Sequence, residues 1–172
     1  MLHRLALRHL AMGLAALATL SGPAQALSCL RPDLARSFHQ AAASPHNYIV
    51  VRGTLSFDAT RLPETRDVNG MPGKKAQTTD LPARITGRFL SQKGFVTGFD
   101  RKIILRAICL GPWCGEPKPG VDYLAFLRET PKGYILEVNP CGGMAFTKPS
   151  NAILNQAVSC IRGQACTPKP GR

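Results

Sequence analysis

Cys109 and Cys114 frame the stretch CLGPWC, with the chain's single tryptophan, Trp113, between them. Two cysteines this close suggest redox, metal or covalent-scaffold chemistry. A thioredoxin-type centre needs two intervening residues on a turn into a helix. Here four residues intervene, and the following GEPKPG leads into an apolar, strand-like run. A zinc site wants four nitrogen or sulfur ligands in close pairs. His39 and His46 are the only histidines beyond the first residues, and neither stands beside a cysteine. What remains is a covalent corner. Cysteines at the end of one strand and the start of the next can pin strand ends to each other, or to the N-terminal segment carrying Cys29. Trp113 would then cover the bridge, and Pro112, Pro117 and Pro119 would restrict the loop before folding.

Other reactive groups do not assemble into a catalytic pattern. His39 sits in a helix-like run beside Phe38, and His46 in a turn beside Pro45, positions where histidine is more often an ordinary surface residue. Glu116 and Asp122 could form an acid–base pair, or hold calcium, but their spacing matches no calcium loop. No serine occupies a nucleophile elbow, and no glycine-rich loop follows a strand to hold phosphate. The expectation is a protein with no catalytic, cofactor-binding or metal residues, although an enzyme whose site has no recognisable pattern is also open.

The elements that would position a site follow an N-terminal leader. Arg4 and Arg8, an apolar run from Leu10 to Leu20 and the ending Ala24-Gln25-Ala26 have the form of a signal peptide over residues 1–26. The apolar run is shorter than the ~20 residues that span a bilayer, so the protein is not expected to be transmembrane. A cut after Ser28 would instead expose Cys29, but as a lipobox this lacks its leucine. The mature chain, 27–172, has 146 residues and reads as one domain able to bury ~70% of its unfolded surface. Of 22 basic residues two fall in the leader, leaving 22 − 2 = 20 against 10 acidic ones. The six cysteines (29, 109, 114, 141, 160, 166) all follow the leader. An even count in an exported chain implies a disulfide framework, with 15 connectivities for three bridges, and an oxidising location in the periplasm or outside the cell.

Along the chain, Pro32 to Ala43 has helix formers with Leu34, Phe38 and Ala42 on one face. Tyr48 to Phe57 alternates as a strand, with Ile49, Val51, Leu55 and Phe57 opposite Val50, Arg52, Thr54 and Ser56. Gly53 falls on the inner face, where a strand would bend into a barrel. A long polar connection, Asp58 to Asp80, holds Lys74 and Lys75. Further strands are expected over Leu81–Leu90, within Phe95–Ile108, and over Tyr123–Arg128 and Tyr134–Val138. A last helix has Ser150 as its N-cap and Gly163 as its stop. The tail 167–172 should fray. Five short strands with flanking helices fit a small closed or nearly closed barrel.

One series carries a family likeness: Trp113-Cys114-Gly115, then PGVDYLAF from Pro119 to Phe126, then Gly133-Tyr134-Ile135-Leu136 and Asn139-Pro140-Cys141. It resembles the core of netrin-like modules, which include the N-terminal domain of the tissue inhibitors of metalloproteinases. Cys29, the helix after it and the strand Tyr48–Phe57 extend the match over roughly residues 29–146. The resemblance implies a mainly β, disulfide-stabilised, five-stranded OB-type (netrin-like) barrel with an N-terminal and a C-terminal helix. It also implies that Cys29 is tied to Cys114 or Cys141, and that Cys160 and Cys166 close a short loop after the last helix. The inhibitors hold a protease's zinc through the free amine of an N-terminal cysteine in a Cys-x-Cys segment. Here Cys29-Leu30-Arg31 has no second cysteine, and the favoured cut leaves Leu27 and Ser28 ahead of Cys29. Protease inhibition through the N-terminal segment is therefore the alternative expectation.

The first expectation is a binding protein. Arg52, Arg84, Arg88, Lys102 and Arg106 all fall on the strand phase opposite the apolar residues, hence on an outer face. The outer face of strands two and three is where OB-folds bind oligonucleotides or oligosaccharides. With Lys74 and Lys75 these residues form a candidate anion-binding set for an anionic glycan, a lipid head group or an acidic protein. Nucleic acid is disfavoured, because stacking aromatics should interleave the charge.

Overall fold

Apolar alternation and two capped helices account for most of the architecture. The structure is a computed structural model, and it describes residues 28–62, 77–111 and 113–169. The leader and the Lys74-Lys75 pair lie outside these residues. Helix α1 spans Leu34–Ala42. Its N-cap is Asp33, whose carboxylate accepts from the Arg36 N–H and so satisfies a free amide of the first turn. The strands are β1 (Tyr48–Phe57), β2 (Gln77–Ser91), β3 (Gly94–Leu110), β4 (Trp113–Cys114), β5 (Val121–Thr130), β6 (Gly133–Val138) and β7 (Ala145–Thr147). Helix α2, Asn151–Ile161, starts at the Ser150 cap and stops before Gly163, whose φ of 71° ends the helix.

Five strands close a ring in the order β1-β2-β3-β6-β5, with β5 returning to β1. All its pairings are antiparallel except β3–β6, which is parallel. The chain is mainly β, with the two helices, β4 and β7 outside the ring. Inside it the expected apolar phase packs: Val51, Leu55, Ile85, Leu105, Leu127 and Leu136 are all fully buried. Gly53 and Gly87 are cross-strand partners. A Cβ on Gly87 would run into the Arg52 carbonyl oxygen, and one on Gly53 would lie 2.6 Å from the Thr86 oxygen. Only two glycines allow β1 and β2 to approach this closely at the bend.

A second core lies outside the ring, where α1 and α2 cover Val50, Leu90, Leu124 and Phe126. Strand β5 is thus buried on both faces, as its unbroken YLAFL run requires. No helix among the described residues is long and apolar enough to cross a membrane.

Several boundaries differ from expectation. Strand β2 begins at Gln77, within the connection expected to run from Asp58 to Asp80, because polar Gln77–Asp80 pair with Arg106–Cys109 of β3. Asp58 opens a 3₁₀ turn over Ala59–Arg61. The short strands β4 and β7 were not expected. The tail, expected to fray, is tied to α1 as far as Lys169: Arg36 donates to the Lys169 carbonyl oxygen, and the Lys169 N–H donates to Asp33, both at 3.3 Å.

Candidate functional site

The five candidate cations that the structure describes stand on the outer face of β1, β2 and β3, three of them paired with carboxylates. Arg84 makes two hydrogen bonds to Asp100, at 2.7 and 2.6 Å, and Arg106 makes two to Asp80, both at 2.7 Å. Arg52 meets Asp122 at 3.1 Å. The Arg106 pair extends across four strands, since Glu137 lies 3.6 Å from Arg106 and 3.0 Å from Arg128. The chain Asp80–Arg106–Glu137–Arg128 therefore crosses β2, β3, β6 and β5 as an alternating-charge ladder. The hydrogen bonds from Arg106 hold the Asp80 carboxyl below the usual carboxylate range. Those from Arg84, then Thr86, do the same for Asp100, while Arg84 and Arg106 are raised in turn by their carboxylate partners.

Two members of the set have no carboxylate partner among the described residues. Arg88 reaches the Val96 carbonyl oxygen at 3.4 Å, and Lys102 is exposed. The expected basic face is thus largely a neutralised one. Strand phase placed these cations on the outside correctly. It could not show their acids, because Asp80, Asp100, Asp122 and Glu137 become neighbours only through the register.

A concave surface lies where the N-terminal segment is pinned. Cys29 is bonded to Cys141, 112 residues away, one of the two pairings the resemblance implied. Cys109 is bonded to Cys114, so β3 and β4 are pinned directly across their pairing, and Cys160 to Cys166. These bridges fit an oxidising environment. Between the N-terminal segment and the β4–β5 and β6–β7 connections lies a cleft of about 660 Å³. Pro32, Pro117, Pro140 and Val138 supply apolar walls, and Arg31 and Glu116 supply charge. Tyr123 is fully buried at its base, its hydroxyl accepting from the Lys118 N–H at 2.8 Å. Gly115 lets the wall close, since a Cβ there would strike the Val138 carbonyl oxygen.

Leu30 and Trp113 stand at this cleft 58% and 41% exposed. Trp113, expected to cover the bridge, thus leaves much of its own surface open to solvent. Each residue adjoins a disulfide cysteine, Leu30 following Cys29 and Trp113 preceding Cys114. Leu30 carried no signal in the sequence, because one leucine in a short connecting segment has no periodicity to read. His39 and His46 lie apart from the cleft, on α1 and in the turn after it. Among the described residues no three of His, Cys, Asp and Glu gather as a metal site. Comparison with protein-family models, curated proteins and solved structures finds no match to this chain.

Proposed function

We propose that this protein is an exported, non-enzymatic binding module of netrin-like, OB-type architecture that engages a partner protein at the pinned end of its ring. The five-stranded closure and the flanking helices support the OB-type part of this reading. The observation that carries the binding part is the pair Leu30 and Trp113, exposed on one cleft and each fixed by an adjacent disulfide. Large apolar side chains in water are a cost to a lone molecule and an asset at an interface, where tryptophan is a frequent anchor. Covalent anchoring of the neighbouring backbone reduces the ordering cost on association. The cleft suits an apolar side chain of the partner between the proline walls, with Arg31 and Glu116 setting its orientation.

A photoreactive residue at position 30 tests this in extract from the compartment to which the protein is exported. A partner cross-linked by the otherwise wild-type chain should be lost with Trp113→Ala and retained with Lys102→Gln. Cross-linking indifferent to Trp113→Ala sinks the reading.

One observation favours a second reading, protease inhibition: the Cys29–Cys141 bridge places Cys29 on the same cleft. That mechanism needs Cys29 to be the first residue. Mass spectrometry of the mature chain decides, since a start at Leu27 leaves no free Cys29 amine.

A further inference from the structure

The helix side of the molecule gathers cations that the ladder does not neutralise. Arg162 caps α2 and donates from Nε to the Gln92 carbonyl oxygen at 2.8 Å, which brings it to the β2–β3 turn beside Lys93. Arg162 also lies inside the loop closed by Cys160–Cys166. Beyond that loop the chain runs back along α1. There His39 Nε2 donates to the Cys166 carbonyl oxygen at 2.9 Å, and Arg36 donates to the Lys169 carbonyl oxygen at 3.3 Å. Lys93, Arg162, Arg36 and Lys169 thus follow one strap, from the hairpin to the start of α1, with the His39 ring beside it.

Among the described residues none of these side chains makes an ion pair, whereas Arg52, Arg84, Arg106 and Arg128 all do. Asp33, at the far end of the strap, is occupied by the backbone N–H groups of Arg36 and Lys169.

We infer that this strap is a binding surface for a linear anionic polymer bearing sulfate, phosphate or carboxylate groups. Like charges held along one line repel, and an extended anion relieves that repulsion over the whole length. The disulfide and the backbone hydrogen bonds fix the line in advance, so little ordering is needed on binding. The exposed large apolar side chains along the strap are Ile161, 37% exposed, and Val96 of the hairpin, 54% exposed. Two separate aliphatic side chains supply neither the stacking aromatics that single-stranded nucleic acid uses nor the broad apolar face that a membrane-lying helix buries.

The test is heparin binding by the full mature chain, measured as Kd against salt. Removing Lys93, Arg162 and Lys169 charge together (K93Q, R162Q, K169Q) should weaken binding at least about tenfold near 0.1 M salt and flatten the salt dependence. Arg162 caps α2, so the milder pair K93Q and K169Q, whose side chains hold nothing in place, should give an intermediate loss with unchanged thermal unfolding. The outer-face variant K102Q should stay within about twofold of wild type, because that cation sits mid-strand on β3, away from the hairpin where the strap begins. Trp113→Ala should leave heparin binding unchanged, which separates this surface from the cleft. A loss with K102Q equal to or greater than that with K93Q and K169Q overturns the inference. So does wild-type binding no stronger than that of a neutral protein, or binding to phosphatidylglycerol vesicles without binding to heparin.

Discussion

The outer face of β1–β3 and the pinned end of the ring spend their unusual residues in opposite ways. On the outer face, three of the five described cations that look available in the sequence, Arg52, Arg84 and Arg106, are answered by Asp122, Asp100 and Asp80, with Glu137 a second acid on Arg106. At the pinned end, Cys109 and Cys114, which look reactive in the sequence, are closed on each other and Cys29 is closed on Cys141, while Leu30 and Trp113 beside these bridges stand exposed. Charge of one sign on a strand phase is therefore weak evidence for a ligand until its cross-strand neighbours are known. An exposed apolar residue beside a covalent anchor is stronger, because nothing within the fold compensates its exposure.

Releasing the pinned end should produce the largest effect. Cys29→Ala with Cys141→Ala opens a loop of 112 residues. Native disulfides in small exported domains contribute roughly 2–5 kcal/mol, so urea unfolding should shift by that order. The N-terminal segment should also lose protection from proteolysis, while the ladder, which this bridge does not touch, keeps its ion pairs. A fall in stability with the segment still protected would mean that packing, rather than the bridge, shapes the cleft.

Gly87→Val should come next, by crowding the bend rather than the cleft. The new side chain meets the Arg52 backbone, and overpacking of this kind costs about 1–3 kcal/mol or more. The loss should appear in thermal unfolding. A neutral outcome would mean that the two strands can part at this point without cost.

Much of this contrast was legible in part. The alternation of Val51, Gly53 and Leu55 against Arg52 and Thr54 fixed which way β1 faces, and the apolar run from Tyr123 to Leu127 marked a strand, though not that both its faces are buried. Ser150 marked the start of the last helix, because a short polar side chain satisfies a free amide there; the first helix, expected from Pro32, instead starts at Leu34 with Asp33 as its cap. Strands β4 and β7, of two and three residues, are too short for any period to show. The start of β2 was hidden because Gln77–Asp80 carry no apolar face and are held as a strand by pairing to β3 alone. The cleft depends on which cysteine meets Cys29, a long-range fact that spacing within the chain does not determine.

The smallest effects belong to the ladder, and they rank its members. Glu137→Gln removes the carboxylate that serves both Arg106 and Arg128, the latter only 15% exposed, and should cost about 1 kcal/mol. Lowering pH probes the other acids together. Asp80 and Asp100 have folded-state values depressed below the usual carboxylate range, chiefly by hydrogen bonds from Arg106 and Arg84. A depressed acid binds its proton more weakly in the folded protein than in the unfolded chain. Its stabilisation is therefore fully present above the unfolded-state value and lost as pH falls through the folded one. Stability of the wild type should thus decline as pH drops below about 4, and Asp80→Asn with Asp100→Asn should flatten that decline. Because these pairs are solvent-exposed, the double variant should lose little at neutral pH and low salt, and less still at high salt. A steep acid loss that persists in the double variant would move its origin from the ladder to the remaining carboxylates.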